Sequence, residues 1–241
     1  YSPWLTSPLD GSAAQGFQGD LASLGADDDS PVSGAEPHIR EAVAEVEEGG
    51  TVSVYEGNYN EGVDITKSLS LVAPDGITST TLDGTGTARA FSLGQDIPVV
   101  FEPSGADSVT ISNFHITNSR SGILARDTGS NIGDSLTVTG CLFDSIDTAG
   151  IAVDVQGVRG TVQNNDFNGL GSGVRIANAS DSIISGNTIT GGQNYGISIS
   201  DQVIGAVPAE TCENITIQGN TITNLSSTFS TQAYGIFVGR S

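Results

Sequence analysis

Five segments of eight residues decide how this chain folds. They are Val109-Thr-Ile-Ser-Asn-Phe-His-Ile116, Leu136-Thr-Val-Thr-Gly-Cys-Leu-Phe143, Gly160-Thr-Val-Gln-Asn-Asn-Asp-Phe167, Ser182-Ile-Ile-Ser-Gly-Asn-Thr-Ile189 and Ile215-Thr-Ile-Gln-Gly-Asn-Thr-Ile222. They align without gaps. The third positions are all aliphatic (Ile111, Val138, Val162, Ile184, Ile217), and the eighth are all large and apolar (Ile116, Phe143, Phe167, Ile189, Ile222). Their starts lie 27, 24, 22 and 33 residues apart. A second element runs in phase with them: Gly122-Ile-Leu-Ala, Gly150-Ile-Ala-Val, Gly173-Val-Arg-Ile, Gly196-Ile-Ser-Ile and Gly235-Ile-Phe-Val. Two independent motifs sharing one period, stretched once by an insertion, are the signature of a solenoid. Each repeat holds short period-two bursts and no helical stripe, which excludes leucine-rich and helical repeats.

The physical picture is a coil of parallel strands, each turn stacked on the last at ~4.8 Å. On this alignment Ile123/Ala125, Ile151/Val153, Val174/Ile176, Ile197/Ile199 and Ile236/Val238 point inward and stack like on like. Leu124, Ala152, Arg175, Ser198 and Phe237 then point outward. In the sixth column Asn165, Asn187 and Asn220 follow Phe114 and Cys141, so an amide ladder is expected at that bend. The length accommodates about eight coils at this period.

Upstream, the pattern changes. Ser33-Gly-Ala-Glu36 has capping-box spacing, and Ile39, Val43 and Val46 form one apolar stripe ended by Gly49-Gly50. This predicts an amphipathic helix over roughly residues 34–47, within a cap spanning 33–48. Residues 51–241 are then coils, and residues 1–32, rich in Gly, Ser, Pro and Asp, are an irregular leader.

Composition narrows the partners. Of 241 residues, 28 are acidic and 8 basic, a formal charge of −20. Nothing basic is clustered enough to neutralise phosphates, which argues against nucleic acid and against anionic membrane surfaces. No apolar run approaches the ~20 residues of a membrane span. An excess of acid, with Arg in place of all but Lys67, resembles the bias of salt-adapted proteins; an ordinary acidic secreted protein is the alternative.

The repeat pattern resembles the right-handed parallel β-helix superfamily, of the pectate-lyase-like or NosD-like type. Ile39-Arg-Glu-Ala-Val43 followed by Gly49-Gly-Thr-Val-Ser-Val-Tyr-Glu-Gly-Asn-Tyr59 is similar to that family's cap helix and first coil. The resemblance covers residues 35–239 and implies an all-β solenoid with an N-terminal cap. It is far less specific for activity, because the same coils serve lyases, hydrolases, esterases, surface proteins and viral spikes. Tyr1-Ser-Pro-Trp-Leu5 looks like a motif that closes such units, which implies neighbouring domains in a longer chain.

Chemistry must then lie on outward strand faces or loops. The alignment puts Arg126 and Asp154 in one column within salt-bridge reach, with Arg175 on the next coil and Asp166 in a column with His115. Arg126, Asp154, Asp166 and Arg175 are the candidate catalytic set that family lyases, hydrolases or esterases would require; an exposed ion pair plus solvated charges is the alternative. Asp27, Asp28 and Asp29 are weak calcium candidates, and no other cofactor is expected. Asn178, Asn214 and Asn224 fit the N-glycosylation sequon. The insertion at 201–212 is a loop over the barrel side or a groove wall. Cys141 and Cys212 fall three coils apart, too far for a disulfide unless that loop folds back. The reading that follows is an extracellular or cell-surface domain of a salt-adapted microbe or its virus, structural or polysaccharide-binding and non-catalytic. A polysaccharide lyase or hydrolase is the rival, and an assembly domain that self-associates end to end is the third.

Overall fold

In the computed structural model, residues 39–85, 88–89, 95–103, 107–127, 133–169, 171–200, 212–227 and 232–239 are described. Three parallel sheets of seven strands wrap around one core. Sheet A comprises Gly50–Ser53, Leu69–Val72, Ser108–Ser112, Ser135–Thr139, Arg159–Gln163, Ile183–Ser185 and Thr216–Gln218. Sheet B comprises Gly57–Tyr59, Thr80–Asp83, His115–Thr117, Leu142–Asp144, Asp166–Asn168, Thr188–Thr190 and Thr221–Thr223. Sheet C comprises Val63–Ile65, Val99–Phe101, Ser119–Arg126, Ile146–Gln156, Ser172–Ala177, Tyr195–Ser200 and Tyr234–Gly239. The chain visits A, B and C in turn and pairs each strand with its counterpart one coil away. The fold is a parallel β-helix of seven described coils, one fewer than the length suggested.

The repeat explains the corners. Between sheets A and B every repeat coil has one residue at positive φ: Asn113, Gly140, Asn164, Gly186 and Gly219, at 66, 65, 55, 66 and 63°. Only Gly and Asn visit this region readily. Their alternation has a steric cause. A Cβ on Gly140 would stand 2.5 Å from Asn113 Oδ1, and one on Gly186 would stand 2.5 Å from Asn164 Oδ1. Each Asn side chain therefore lies over the glycine of the next coil.

The next column is the amide ladder. Asn165 Oδ1 accepts from Cys141 N–H at 2.9 Å, Asn187 Oδ1 from Asn165 N–H at 3.0 Å, and Asn220 Oδ1 from Asn187 N–H at 3.0 Å. Their amide nitrogens donate to the carbonyls of Val138, Val162 and Ile184 at 3.0, 2.9 and 2.8 Å. Cys141, buried and unbridged, points its thiol at Ile111 O from 4.0 Å in the equivalent place. Inside, Phe143 stacks on Phe167 with centroids 4.9 Å apart.

The N-terminal end is closed by helix α1, Ile39–Glu45, whose Ile39, Ala42 and Val43 are buried together with Val46. The first coil caps it at both ends. Glu61 accepts from the Ile39 and Arg40 amides at 2.7 and 3.1 Å, and Lys67 Nζ donates to the Ala44 and Val46 carbonyls at 2.7 and 2.6 Å. The lone lysine thus satisfies C-terminal carbonyls that a helix leaves orphaned. The proposed leader at 1–32 and the Ser33–Glu36 capping box lie outside the described residues.

One register differs from the expected alignment. Ile123 pairs with Val153, not Ile151, and Val153 with Val174. The strand Ile146–Gln156 is eleven residues long, and the register shifts where Ser119 and Ser121 meet Ile146 and Ile151. Ala152, expected to face outward, is instead buried beside Gly122, whose Cβ would meet Ala152 O at 2.7 Å. From Val153 onward a slip of two residues preserves which side chains face inward, so hydrophobic alternation there does not detect it. Leu124, also expected outside, is buried with Ile97 and Val100 in a small second cluster on the outer side of sheet C. A two-stranded antiparallel hairpin, Ala88–Arg89 with Gln95–Asp96, lies against the strand Ser119–Arg126 there. At the far end the inward residues Ile236 and Val238 are 50% and 74% exposed.

Candidate functional site

The corrected register rearranges the candidate charges. Asp154 pairs in the ladder with Leu124 on one side and Arg175 on the other, while Arg126 pairs with Gln156. The expected Arg126–Asp154 contact is therefore replaced by a partly buried Arg175–Asp154 pair. Arg175 Nε donates to Asp154 Oδ1 at 2.7 Å and Nη2 to Oδ2 at 2.5 Å, and Gln156 Nε2 adds a third bond to Oδ2 at 2.9 Å. This fork-to-fork geometry is the strongest form of the ion pair. Arg126 faces Glu102 instead. Burial pushes the Glu102 carboxyl up, and the Arg126 charge partly opposes it. Asp166 stands apart, exposed on sheet B in the predicted column with Leu142 and Thr188.

Further along the same outward face of sheet C stand three rings. Tyr195 pairs with Tyr234, and Ser198 with Phe237. Tyr195 and Tyr234 stack with centroids 5.8 Å apart, and Phe237 closes the group at 5.0 Å from Tyr195 and 5.6 Å from Tyr234. The column holding Phe237 runs back through Ser198 to Arg175 and Asp154. Rings and ion pair thus share one face, two strand spacings or ~10 Å apart. The sequence placed Phe237 outward, but none of the three aromatics was named there as a site residue. The signal was present, since Tyr195 and Tyr234 each precede a glycine of the second motif.

Sheet B carries a second polar group that the sequence reading also missed. His115 Nε2 lies 2.9 Å from Asp144 Oδ2, Thr117 Oγ1 donates to Asp144 Oδ1 at 2.5 Å, and Thr81 Oγ1 is 3.4 Å from His115 Nδ1. Partial burial pushes Asp144 up, but hydrogen bonds from Thr117, His115 and Ser145 hold its carboxyl below the ordinary range. Asp83 is lowered in the same way, by Thr85 and Asn118 against burial. The residues are diagonal neighbours on adjacent coils, a relation a single aligned column does not display.

A third polar group sits where sheet C turns into sheet A. Asp107, Asp127 and Asp134 are all buried, and Asp134 Oδ1 accepts from the Asp107 amide at 2.8 Å. Burial raises Asp134, the Asp107 N–H opposes, and the charges of Asp127 and Asp107 raise it further. Among the described residues no group of three or more His, Cys, Asp or Glu is placed to hold a metal ion. The calcium candidates Asp27, Asp28 and Asp29 lie outside the described residues, as does 201–211 of the insertion. Of the sequon residues, Asn178 is buried, whereas Asn214 and Asn224 are exposed. Asn214 Nδ2 donates to Asp181 at 3.0 Å. Cys212 is a half-buried free thiol, 3.3 Å from Ser200 O. No described helix is long and apolar enough to cross a membrane.

Three parallel seven-stranded sheets around one core, with an asparagine ladder at one corner, define the class: a parallel β-helix. Residues 99–241 match the family described as the right handed beta helix region, and the chain belongs to that family. No curated protein matches the chain.

Proposed function

We propose that this β-helix is an extracellular or cell-surface domain that binds carbohydrate through the outer face of sheet C and performs no catalysis of its own. The observation that carries the reading is the aromatic ledge of Tyr195, Tyr234 and Phe237 beside the closed Asp154–Arg175 pair. Half-exposed rings on a strand face have no packing role in the core, and they offer flat apolar surface with a polar rim. The neighbouring ion pair is mutually satisfied. Arg175, bound by both prongs to one carboxylate, is not placed to take a proton from a substrate.

Sheet B supports the same view. A glycosidase sets a protonated carboxylic acid against an ionised partner. Asp83 and Asp144 are both lowered, so neither is suited to the acid role.

The rival hydrolase reading draws on Glu102, whose carboxyl burial raises, two coils from Asp154. Incubation with a polysaccharide panel, scored both for new reducing ends and for retention in affinity electrophoresis, separates the two. Retention without turnover is expected. Turnover that Glu102→Gln or Asp154→Asn abolishes would overturn the non-catalytic reading.

A further inference from the structure

We infer that the sheet C face takes a neutral, hydroxyl-rich glycan rather than a uronate polymer. This rests on the binding reading above and names the ligand class of the same site. The argument is one of charge. A uronate carboxylate needs an available cation, best supplied as an arginine fork or a bound metal ion. On this face Arg175 has both Nε and Nη2 committed to Asp154. Arg126 faces the Glu102 carboxyl. The ledge itself is uncharged. The chain as a whole carries −20, so a polyanion also meets a repulsive field on approach.

The polar atoms behind this face offer a uronate nothing either: Gln156 is only 4% exposed and its amide nitrogen is turned to Asp154. The rings supply the positive half of the match. The C–H face of a neutral pyranose lies flat on an aromatic ring, as apolar surface does generally. The column from Asp154 through Arg175 and Ser198 to Phe237 orients the polymer along the solenoid axis.

The test compares neutral polymers (galactan, mannan, xylan) with polygalacturonate and alginate, by affinity electrophoresis and titration calorimetry at 0.5 M NaCl. Expected is binding to at least one neutral polymer and none to the uronates. Tyr234→Ala should weaken that binding about tenfold, and Tyr234→Phe should retain it, because the ring and not the hydroxyl makes the contact. Far-UV dichroism of both variants checks that the coils persist. Binding confined to the uronates would overturn the ligand class and leave the binding reading standing. Binding to no polymer would overturn both. Neutral binding indifferent to Tyr234→Ala in a folded variant would remove the ledge from the site.

Discussion

Asn187→Ala is the sharpest perturbation of this fold. Asn187 is 1% exposed and makes four side-chain hydrogen bonds. Its Oδ1 accepts from Asn165 N–H at 3.0 Å and Asn165 Nδ2 at 3.1 Å. Its Nδ2 donates to Val162 O and Asn220 Oδ1, both at 2.9 Å. Two of the four partners have an alternative, because Asn165 Nδ2 also reaches Val138 O and Asn220 Oδ1 also accepts Asn187 N–H. The Asn165 amide and the Val162 carbonyl lose this partner inside the barrel. Each buried orphan costs about 1–3 kcal/mol, so a loss of about 3 kcal/mol is a conservative sum. With a urea slope of about 3 kcal/mol/M, the midpoint falls by about 1 M. Amide exchange at Asn165 gives a local readout and should lose its protection first. A midpoint shift below about 0.3 M with unchanged slope would refute the ladder's energetic role. Asn187→Asp is the companion variant. It keeps one acceptor but turns a second oxygen on Val162 O, and burial raises the new carboxyl above its unfolded value. Its stability is therefore fullest below the unfolded carboxyl pKa and lost as pH rises through the folded one.

Three more outcomes follow from the polar groups. Asp134→Asn should raise stability at pH 7 by about 1 kcal/mol, because it retains the acceptor for Asp107 N–H and removes one of three crowded charges. Asp134 is raised in the fold, so its wild-type contribution is full at low pH and lost as pH rises; the variant's advantage should vanish in acid melts, and an equal gain at pH 3 would contradict this. Burial pushes the Cys141 thiol up to about 12, leaving a thiolate fraction of about 10⁻⁴ at pH 8, so iodoacetamide should label Cys212 alone in the native protein, as mass spectrometry of native and urea-treated samples can show. Asp154→Ala should destabilise by about 2–4 kcal/mol by stranding Arg175, and Asp154→Leu with Arg175→Leu should recover most of it; a double variant as weak as the single one would mean that the pair, not the orphan, supplies the energy.

What was legible followed from the inward geometry. The third and eighth positions of the first motif face a core shared by every coil, so one demand recurs and leaves a visible period. Leu136 stacks on Val109, Val162 on Val138 and Ile189 on Phe167, as the alignment predicts. The asparagine column was readable for the same reason. The second motif failed at Gly150, because extra residues before Ile151 lengthen that strand while leaving the alternation from Val153 onward intact. That error moved Asp154 from Arg126 to Arg175, so a two-residue slip was enough to misassign the ion pair. The His115–Asp144 contact crosses columns as well as coils, and Glu61 and Lys67 reach α1 from about 22 residues away in sequence. No periodicity encodes such contacts.

Outward columns obey no shared demand, and for that reason their departures carry information. The sheet C column one place before Gly122, Ala152, Gly173, Gly196 and Gly235 reads Ser121, Ile151, Ser172, Tyr195 and Tyr234. Its last members are large rings placed where the core asks nothing of them, and Tyr234 is 38% exposed. In a chain whose net charge otherwise keeps its surface polar, exposed rings lower solubility and contribute little to stability. Stacking among the three adds about 0.5–1.5 kcal/mol per pair. A ligand that stacks on them, as proposed above, would account for their position, and the closed ion pair two coils away favours one that brings no charge of its own.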